Sequence, residues 1–230
     1  MTTRGKLIAV EGIDGSGKNT QVRLLAQALT SLGHRVLPTG FPQYHSWFGK
    51  MVGQFLNGDF GPHQDPHFTA LLYAGDRFEC KGPIVAALDQ GEIVIADRYV
   101  GSNLAHQVAR AAPEKRAEFR AWIEHLEYNI YRMPREDLVL YLRVPPVQAQ
   151  LLVAKKSARA YTDSAHDILE SDLLHLQDTA DIYDQLARSP NWKTVECCDA
   201  QDKTMRAPES ISREILAAVQ PLLPSLQETR

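Results

Sequence analysis

Short apolar runs alternate with amphipathic helical patterns along almost the whole chain of 230 residues. The strand-like runs are LIAV at 7–10, RVL at 35–37, IVIAD at 93–97, LVLYLRV at 138–144 and a weaker TVECC at 194–198. Near-continuous apolar strands are typical of a parallel sheet whose two faces are covered by helices. The alternation therefore predicts one α/β domain over residues 1–230, with a parallel five-stranded sheet flanked by helices. Ligands of such sheets bind beyond the carboxyl ends of the strands.

Four stretches have the periodicity of amphipathic helices. The first begins at Lys18 and ends before Gly33, and the last runs from about Pro208 to Leu222. The stretch 115–131 places Phe119, Trp122, Ile123, Leu126 and Ile130 on one apolar stripe, and the stretch 171–187 does the same with Leu173, Leu176, Ala180, Tyr183 and Ala187. We expect these stripes to pack against the sheet.

The first strand is followed directly by a glycine-rich loop, Gly12-Ile13-Asp14-Gly15-Ser16-Gly17-Lys18-Asn19-Thr20. It fits the pattern G-x-x-x-x-G-K, in which backbone N–H groups surround phosphate oxygens and the lysine reaches the β and γ phosphates. The helix after the loop points its positive end at the same phosphates. A buried strand before the loop and an amphipathic helix after it predict a P-loop NTPase fold, with residues 12–20 binding the nucleotide.

Asn19 stands where this pattern usually has the Ser or Thr that binds Mg²⁺. An amide oxygen is also a hard ligand, so Asn19 can hold the ion, or water and carboxylates can hold it instead. A nucleotide-binding module that has lost catalysis is the alternative that this residue leaves open.

Polar side chains follow the third strand and occupy one helical stretch before it. Arg98 comes directly after Asp97, and its planar guanidinium suits an anionic acceptor because it can grip phosphate with two hydrogen bonds. Tyr73 and Arg77 are four residues apart and share a helix face, which suits stacking on a base. Two further pairs with the same spacing, Ser102 with His106 and Asn103 with Gln107, have the groups needed to read a base edge.

Composition excludes several classes of protein. Lys and Arg number 25 against 28 Asp and Glu, and the resulting net charge of −3 argues against a dedicated nucleic-acid binder. No apolar run approaches the roughly 18 residues of a membrane span. Three cysteines, Cys80, Cys197 and Cys198, fit a reducing compartment. We therefore expect a cytoplasmic protein that binds neither nucleic acid nor membrane.

Four motifs, in order, resemble those of bacterial thymidylate kinases. EGIDGSGKNTQ is similar to the phosphate loop of that family, and FPQY at 41–44 is similar to the motif after its second strand. LLYAGDR at 71–77 resembles the pattern L-x-F/Y-A-x-D-R, and DRYVGSNLAHQ at 97–107 resembles D-R-Y-x-x-S-x-x-A-Y-Q. The resemblance covers almost the full length of the chain. It implies transfer of the γ-phosphoryl group of ATP to dTMP, giving dTDP and ADP for dTTP synthesis.

The resemblance also implies roles for individual residues. Arg98 would hold the acceptor phosphate, with Lys18 on the donor phosphates, and Asp14 would contact the acceptor sugar or a metal-bound water. Tyr73 would stack on thymine, Arg77 with Asn103 or Gln107 would read its edge, and Ser102 and His106 would line the same acceptor site. Phe41 and Pro42 would cover its methyl side. Asp97, Asp14, Asn19 and Glu170 would hold Mg²⁺ directly or through water.

A helical lid is implied for about 155–170, between two helical stretches. Phosphoryl transfer spreads negative charge over the moving group, so a cationic lid suits the reaction. Arg159 is the first candidate, followed by Lys156 and Lys155. Asp167, Glu170 and Asp172 resemble the acidic residues that close the lid of the family.

Two departures from the family pattern concern the substrates. His106 occupies a position where the family usually has Tyr, near the 2′ position of the sugar. Leu152 occupies a position where the family usually has an Arg over the adenine, with Lys155 or Arg143 as possible replacements. Two alternative functions therefore stay open, a kinase for another nucleoside monophosphate and a catalytically weak regulatory module. The resemblance also implies that the protein is a homodimer.

Overall fold

The computed structural model describes residues 4–61, 64–153, 173–201 and 204–223. The predicted lid at about 155–170 lies outside the described residues. With it lie five of the charged candidates, Lys155, Lys156, Arg159, Asp167 and Glu170, and also Asp172.

The five predicted strands form one parallel sheet. They are β1 (Lys6–Glu11), β2 (Val36–Gly40), β3 (Ile93–Asp97), β4 (Leu138–Arg143) and β5 (Trp192–Glu196). Their order across the sheet is β2-β3-β1-β4-β5, and all four pairings are parallel. The predicted fold class is confirmed, although β5 begins two residues earlier than the TVECC run indicates.

The register of the sheet brings the ends of three strands together. Asp97, the last residue of β3, pairs with Val10 of β1 on one side and with Gly40 of β2 on the other. The loops that follow Glu11, Gly40 and Asp97 therefore leave the sheet side by side. These are the segments in which the sequence places its phosphate loop, FPQY and Arg98.

Nine α-helices surround the sheet in the described part of the chain. They are α1 (Lys18–Ser31), α2 (Trp47–Leu56), α3 (Pro66–Glu79), α4 (Lys81–Asp89), α5 (Val100–Ala109), α6 (Arg116–His125), α7 (Pro146–Val153), α8 (Leu173–Leu186) and α9 (Pro208–Val219). None of the helices within these described ranges is long and apolar enough to cross a membrane.

The predicted helix over 115–131 is not one regular helix. It begins with a single 3-10 turn, continues as α6, and ends in a π-helical turn over Leu126–Ile130. A π-turn is wider than an α-turn, so side chains after Leu126 are rotated out of the predicted stripe. The placement of Ile130 on the apolar stripe is therefore wrong, because Ile130 is 59% exposed whereas Glu127 is fully buried.

The main core lies on both faces of the central strands. Leu7, Ile8, Ala9 and Val10 of β1 are all fully buried, as expected for a strand with neighbours on both sides and helices on both faces. A smaller apolar cluster of Val52, Phe55, Leu56 and Leu72 joins α2 to α3. This second cluster fixes the helix that carries Tyr73 and Arg77.

Candidate active site

A cavity of about 1040 Å³ opens at the carboxyl ends of the strands. It brings together most of the residues that the sequence predicts for donor and acceptor. Those that line it are Asp14, Gly15, Gly17, Lys18, Asn19, Thr20, Phe41, Pro42, Tyr73, Arg77, Asp97, Arg98, Ser102, Asn103, His106 and Gln107. Gly12, Ile13 and Ser16 belong to the same loop but are not among the residues that line the cavity.

The glycine-rich loop has the backbone that a phosphate site requires. Gly17 precedes α1 with φ of 87°, and Gly15 has φ of 84°, both in the left-handed region that favours glycine. A Cβ atom on Gly15 would lie 2.3 Å from the carbonyl oxygen of Ala149, so the loop also packs too closely on α7 for a side chain. The Ser16 hydroxyl is buried and has no hydrogen-bond partner among the described residues.

Lys18 is held inside this loop. Its Nζ donates to the carbonyl oxygens of Gly12 at 3.0 Å and Ile13 at 2.9 Å. Burial, together with the neighbouring Arg98 guanidinium, lowers the pKa of Lys18 from 10.5 to about 8. The Lys18 side chain therefore lines the cavity from within the loop, and its charge depends on pH in the mildly alkaline range.

Arg98 lies against the phosphate loop, with its Nη1 3.4 Å from the Gly12 carbonyl oxygen. Its backbone has φ of 67°, and its N–H donates to the carbonyl oxygen of Val10 at 3.0 Å. The guanidinium forms an ion pair with Asp14 and donates to Ser102 Oγ at 3.1 Å. Burial alone would lower the pKa of Arg98, but Asp14 and other anionic neighbours outweigh it and raise that pKa, so the group stays charged.

His106 lies beside Arg98 and is buried. Its Nε2 is 3.4 Å from Arg98 Nη1. Burial and then the Arg98 charge hold the pKa of His106 well below its usual value, so the imidazole is neutral and accepts from Arg98. Its ring also packs near His175 and Tyr183 of α8, at centroid distances of 5.7 Å and 6.2 Å.

Arg77 and Tyr73 both face the cavity from α3, as the spacing predicts. Arg77 is almost completely buried and is paired with the fully buried Glu127 through its Nε and Nη2 atoms. The pair is therefore neither a surface ion pair nor an isolated cation. Glu127 is a partner that the sequence does not reveal, because the π-turn moves it onto the buried side.

Asn103 is fixed by the same carboxylate. Its Nδ2 donates to Glu127 Oε1 at 2.9 Å and to the carbonyl oxygen of Ala70 at 3.1 Å. Since both partners are acceptors, the amide cannot be turned around, and Oδ1 is left buried without a partner among the described residues. The part of the cavity that α3 and α5 line thus combines an acceptor that is unsatisfied among the described residues with the Arg77 guanidinium.

The side-chain oxygen of Gln107, unlike that of Asn103, is already hydrogen-bonded to other side chains. Its Oε1 accepts from Thr69 Oγ1 at 2.7 Å and from Arg110 Nη1 at 2.9 Å. Arg110 also donates to the carbonyl oxygen of Gln64 at 2.7 Å. The Gln107 carbonyl therefore ties α3 to α5, whereas Asn103 keeps a free acceptor for a ligand.

A buried carboxylate holds the segment that carries Phe41 and Pro42. Asp76 accepts from the Gln43 backbone N–H at 3.0 Å and from Ser46 Oγ at 3.0 Å. Phe41 is buried against Tyr99, at a centroid distance of 6.1 Å. The segment that carries Phe41 and Pro42 is thereby fixed to α3.

Few acidic groups in the cavity are available to a metal ion. The Asp97 and Asn19 side chains line it and make no hydrogen bond to other described residues, whereas Asp14 is paired with Arg98. Within those residues no group of three or more His, Cys, Asp and Glu side chains could hold a metal. This sparse oxygen set fits Mg²⁺, which usually takes one or two carboxylates together with water and substrate phosphates.

Arg143 is unsuited to the role of covering the adenine. It donates to both carboxylate oxygens of Asp184, at 2.9 and 2.8 Å, and to Glu196 at 3.3 Å. It does not line the cavity. Leu152, which stands where the family usually has an Arg over the adenine, is half-buried in α7.

A glycine-rich loop of this sequence at the carboxyl end of the central strand, open to a cavity that Tyr73, Arg77 and Arg98 also line, is typical of P-loop proteins that bind nucleotides. The sequence model of the thymidylate kinase family matches residues 10–211. The chain belongs to the thymidylate kinase family.

The chain is also similar in sequence to individual thymidylate kinases and in fold to a solved one. Thymidylate kinase of Mycobacterium tuberculosis (strain CDC 1551 / Oshkosh) is 32% identical over 185 residues, which cover 79% of this chain and 85% of that protein. A probable thymidylate kinase of Pyrobaculum calidifontis is 30% identical over 221 residues, covering 96% and 98% of the two chains. The solved structure of Candida albicans thymidylate kinase has the same fold, with a TM-score of 0.74 and 19% identity over 95% of this chain and 92% of that one.

The buried Glu127 carboxylate is expected to matter for stability. A Glu127→Ala variant leaves the Arg77 guanidinium buried without its counter-charge, which should lower the free energy of unfolding by about 3–5 kcal/mol. Glu124→Ala is the matched control, because Glu124 is paired with Arg120 on the surface of α6 and should contribute less than about 1 kcal/mol. Equal midpoints of chemical denaturation for the two variants would contradict the importance of the buried pair.

Proposed function

We propose that this protein transfers the γ-phosphoryl group of ATP to dTMP, giving dTDP and ADP for dTTP synthesis. The observation that carries the proposal is the single cavity that joins the phosphate loop, Arg98 and the pocket around Tyr73 and Asn103. Donor and acceptor phosphates can meet in such a cavity without leaving the protein. Membership of the thymidylate kinase family supports the same reaction.

At the donor end of the cavity, backbone N–H groups and one cationic side chain would bind the ATP phosphates. The N–H groups of residues 12–20 and the N-terminus of α1 would surround the ATP phosphates. Lys18 would leave its carbonyl partners, or share its third hydrogen, to contact the β and γ phosphates. The buried Ser16 hydroxyl, which has no partner among the described residues, would gain one in a phosphate oxygen.

The acceptor phosphate would bind to Arg98. Its guanidinium is already oriented by Asp14 and Ser102, so little side-chain freedom is lost on binding. The attacking oxygen of a nucleoside monophosphate is anionic near neutral pH, so no general base is needed. The chemistry then depends on alignment and on cations around the moving group.

The base pocket favours a pyrimidine that carries an imide N–H group. Asn103 Oδ1 is a buried acceptor, and thymine and uracil offer N3–H to it, whereas cytosine has an unprotonated N3 at that position. Arg77 would donate to a ring carbonyl, with Tyr73 stacked on the ring. Phe41 and Pro42 would surround the 5-methyl group that distinguishes thymine from uracil.

Asp97 and Asn19 would hold Mg²⁺, with Asp14 acting through water. When bound, the ion neutralises phosphate charge during transfer. Arg159, Lys156 and Glu170 keep the roles that the resemblance implies, in the segment outside the described residues.

Binding of ATP is expected to depend on the charge of Lys18. Phosphates stabilise the ammonium form, so ATP binding raises the lowered pKa of Lys18 and takes up a proton once the pH exceeds about 8. Affinity should therefore fall as the pH rises through about 8, by up to about tenfold per unit. Calorimetry in two buffers with different ionisation enthalpies measures the proton uptake. A Lys18→Ala variant should show none, and equal uptake by both proteins would contradict this assignment.

We also infer a homodimer in the cytoplasm, which the resemblance to the family favours. Leu71 and Phe78 lie seven residues apart on one side of α3 and are 38% and 46% exposed. A second copy would cover them. Light scattering after size exclusion gives the mass directly, and a monomer at micromolar concentration would contradict the inference.

A panel of acceptors tests the proposed function. ADP release is measured with ATP and Mg²⁺ and with dTMP, dUMP, UMP, CMP, AMP or GMP. The highest kcat/KM is expected for dTMP, a lower value for dUMP and little turnover with CMP. Preference for another monophosphate would assign a different kinase activity, and ATP binding without turnover would favour a regulatory module.

A further inference from the structure

Glu11, the last residue of β1, is a fully buried carboxylate immediately before the phosphate loop. Its Oε1 accepts from the backbone N–H groups of Tyr99 at 2.7 Å and Ser102 at 3.0 Å. Its Oε2 accepts from Ser102 Oγ at 2.6 Å and from the Tyr183 hydroxyl at 2.9 Å. No donor in this set belongs to the phosphate loop.

These four hydrogen bonds use the whole accepting capacity of the group. A carboxylate offers about four lone-pair sites, and each of them here receives a donor. The two backbone donors belong to the N-terminal turn of α5, where N–H groups lack the usual carbonyl partner four residues earlier, although the Ser102 N–H also contacts the Tyr99 carbonyl oxygen at 3.2 Å. Glu11 therefore caps α5 from a neighbouring strand.

The close packing around Gly101 shows how tightly this cap fits. A Cβ atom on Gly101 would lie 2.9 Å from Glu11 Oε1 and 3.0 Å from its Cδ. The carboxylate consequently lies directly against the first turn of α5. The backbone of Arg98, with φ of 67°, enters this turn through Tyr99.

The hydroxyl of Ser102 transmits the effect of Glu11 to the Arg98 side chain. A hydroxyl has a single hydrogen, and the 2.6 Å contact commits it to Glu11 Oε2. The lone pairs of Ser102 Oγ are then available to Arg98 Nη1, which lies 3.1 Å away. Glu11 thus fixes both the backbone that follows Arg98 and the acceptor that orients its guanidinium.

We propose that Glu11 is a positioning residue for Arg98, acting through Ser102, and that Tyr183 supports it from α8. This inference rests on the proposed function, in which Arg98 holds the acceptor phosphate. Glu11 does not line the cavity. Its effect is on the orientation of a cation that must be in place before the acceptor binds.

A Glu11→Gln variant keeps the shape of the side chain and breaks this arrangement. If the amide nitrogen takes the Oε2 position, it donates to Ser102 Oγ and turns the Ser102 hydrogen toward Arg98. If the amide nitrogen takes the Oε1 position, it is a donor facing the two N–H donors of Tyr99 and Ser102, and both hydrogen bonds are lost. Either orientation is expected to raise the KM for dTMP by about tenfold or more, while ATP affinity changes by less than about twofold.

A double-mutant cycle with Arg98→Ala distinguishes positioning from general damage. If Glu11 acts through Arg98, Glu11→Gln should change kcat/KM by less than about twofold in the Arg98→Ala background. Ser102→Ala in the same cycle removes the hydroxyl that joins Glu11 to Arg98 and is used if Glu11→Gln does not fold. Glu136→Gln is the control, because Glu136 accepts from the Tyr128 hydroxyl at 2.8 Å and does not line the cavity.

The outcomes separate the inference from the function on which it rests. Near-normal activity of Arg98→Ala would refute the acceptor site itself. A severe Arg98→Ala defect with fully additive losses from both Glu11→Gln and Ser102→Ala would refute the positioning role alone. A loss of ATP affinity equal to the loss of dTMP affinity would likewise overturn it, because Glu11 would then act on the phosphate loop.

Discussion

An Arg98→Ala variant is expected to lose acceptor binding and turnover together, with kcat/KM for dTMP falling about 10²–10³-fold. The guanidinium lies in the cavity and is already oriented by Asp14 and Ser102, so its loss removes a preorganised cation and not a solvated surface charge. The proposed donor contacts belong to residues 12–20, which Arg98 contacts only at the Asp14 side chain and the Gly12 carbonyl oxygen. ATP affinity, measured by calorimetry without acceptor, should therefore change little.

Arg120→Ala is the control for that substitution. Arg120 is paired with Glu124 on α6 and lies outside the cavity. Its kcat/KM should equal that of the unaltered protein. Retention of more than about a third of the activity by Arg98→Ala would refute the assignment of the acceptor phosphate to this residue.

Lys18→Ala is expected to have the other large effect, a fall of about 10³-fold or more in kcat with ATP. Lys18 is 7% exposed, lies within the phosphate loop and contacts two loop carbonyl groups. Removing it takes away the only cation that the described part of the loop offers to the donor phosphates. The loss should fall mainly on kcat, because a contact with the transferred group strengthens during transfer.

The matched control for Lys18 is Lys50→Ala. The Lys50 ammonium group is exposed on α2 and lies 5.3 Å from the centre of the Trp47 ring. Neither kcat nor KM should change. A Lys18→Ala protein that folds, binds ATP and turns over at near-normal rate would contradict the donor site described above.

The fold could be predicted from local sequence because its central strands are buried on both faces. Runs such as LIAV and IVIAD have no solvated face and therefore read as continuous apolar segments. The α6 region could not be predicted in the same detail. A π-turn changes the angular spacing of the helix, so a regular period places Ile130 inside and Glu127 outside, which is the reverse of the structure.

The candidate site divides in a similar way. Residues on loops at the carboxyl ends of strands, such as Lys18 and Arg98, could be predicted because the topology of a parallel sheet brings those ends together. Their buried supports could not. Glu11 and Tyr183 are 172 positions apart, and no local pattern indicates that their side chains share a hydrogen bond.

The measurement that tests the central claim most directly is the identity of the products formed from ATP, Mg²⁺ and dTMP. Ion-pair chromatography of a single reaction resolves ATP, ADP, dTMP and dTDP, and a phosphate assay on the same sample measures inorganic phosphate. If one cavity aligns both substrates, dTDP and ADP should appear in equal amounts with little free phosphate. Formation of ADP and inorganic phosphate while dTMP stays unchanged, or no consumption of ATP at all, would contradict the account.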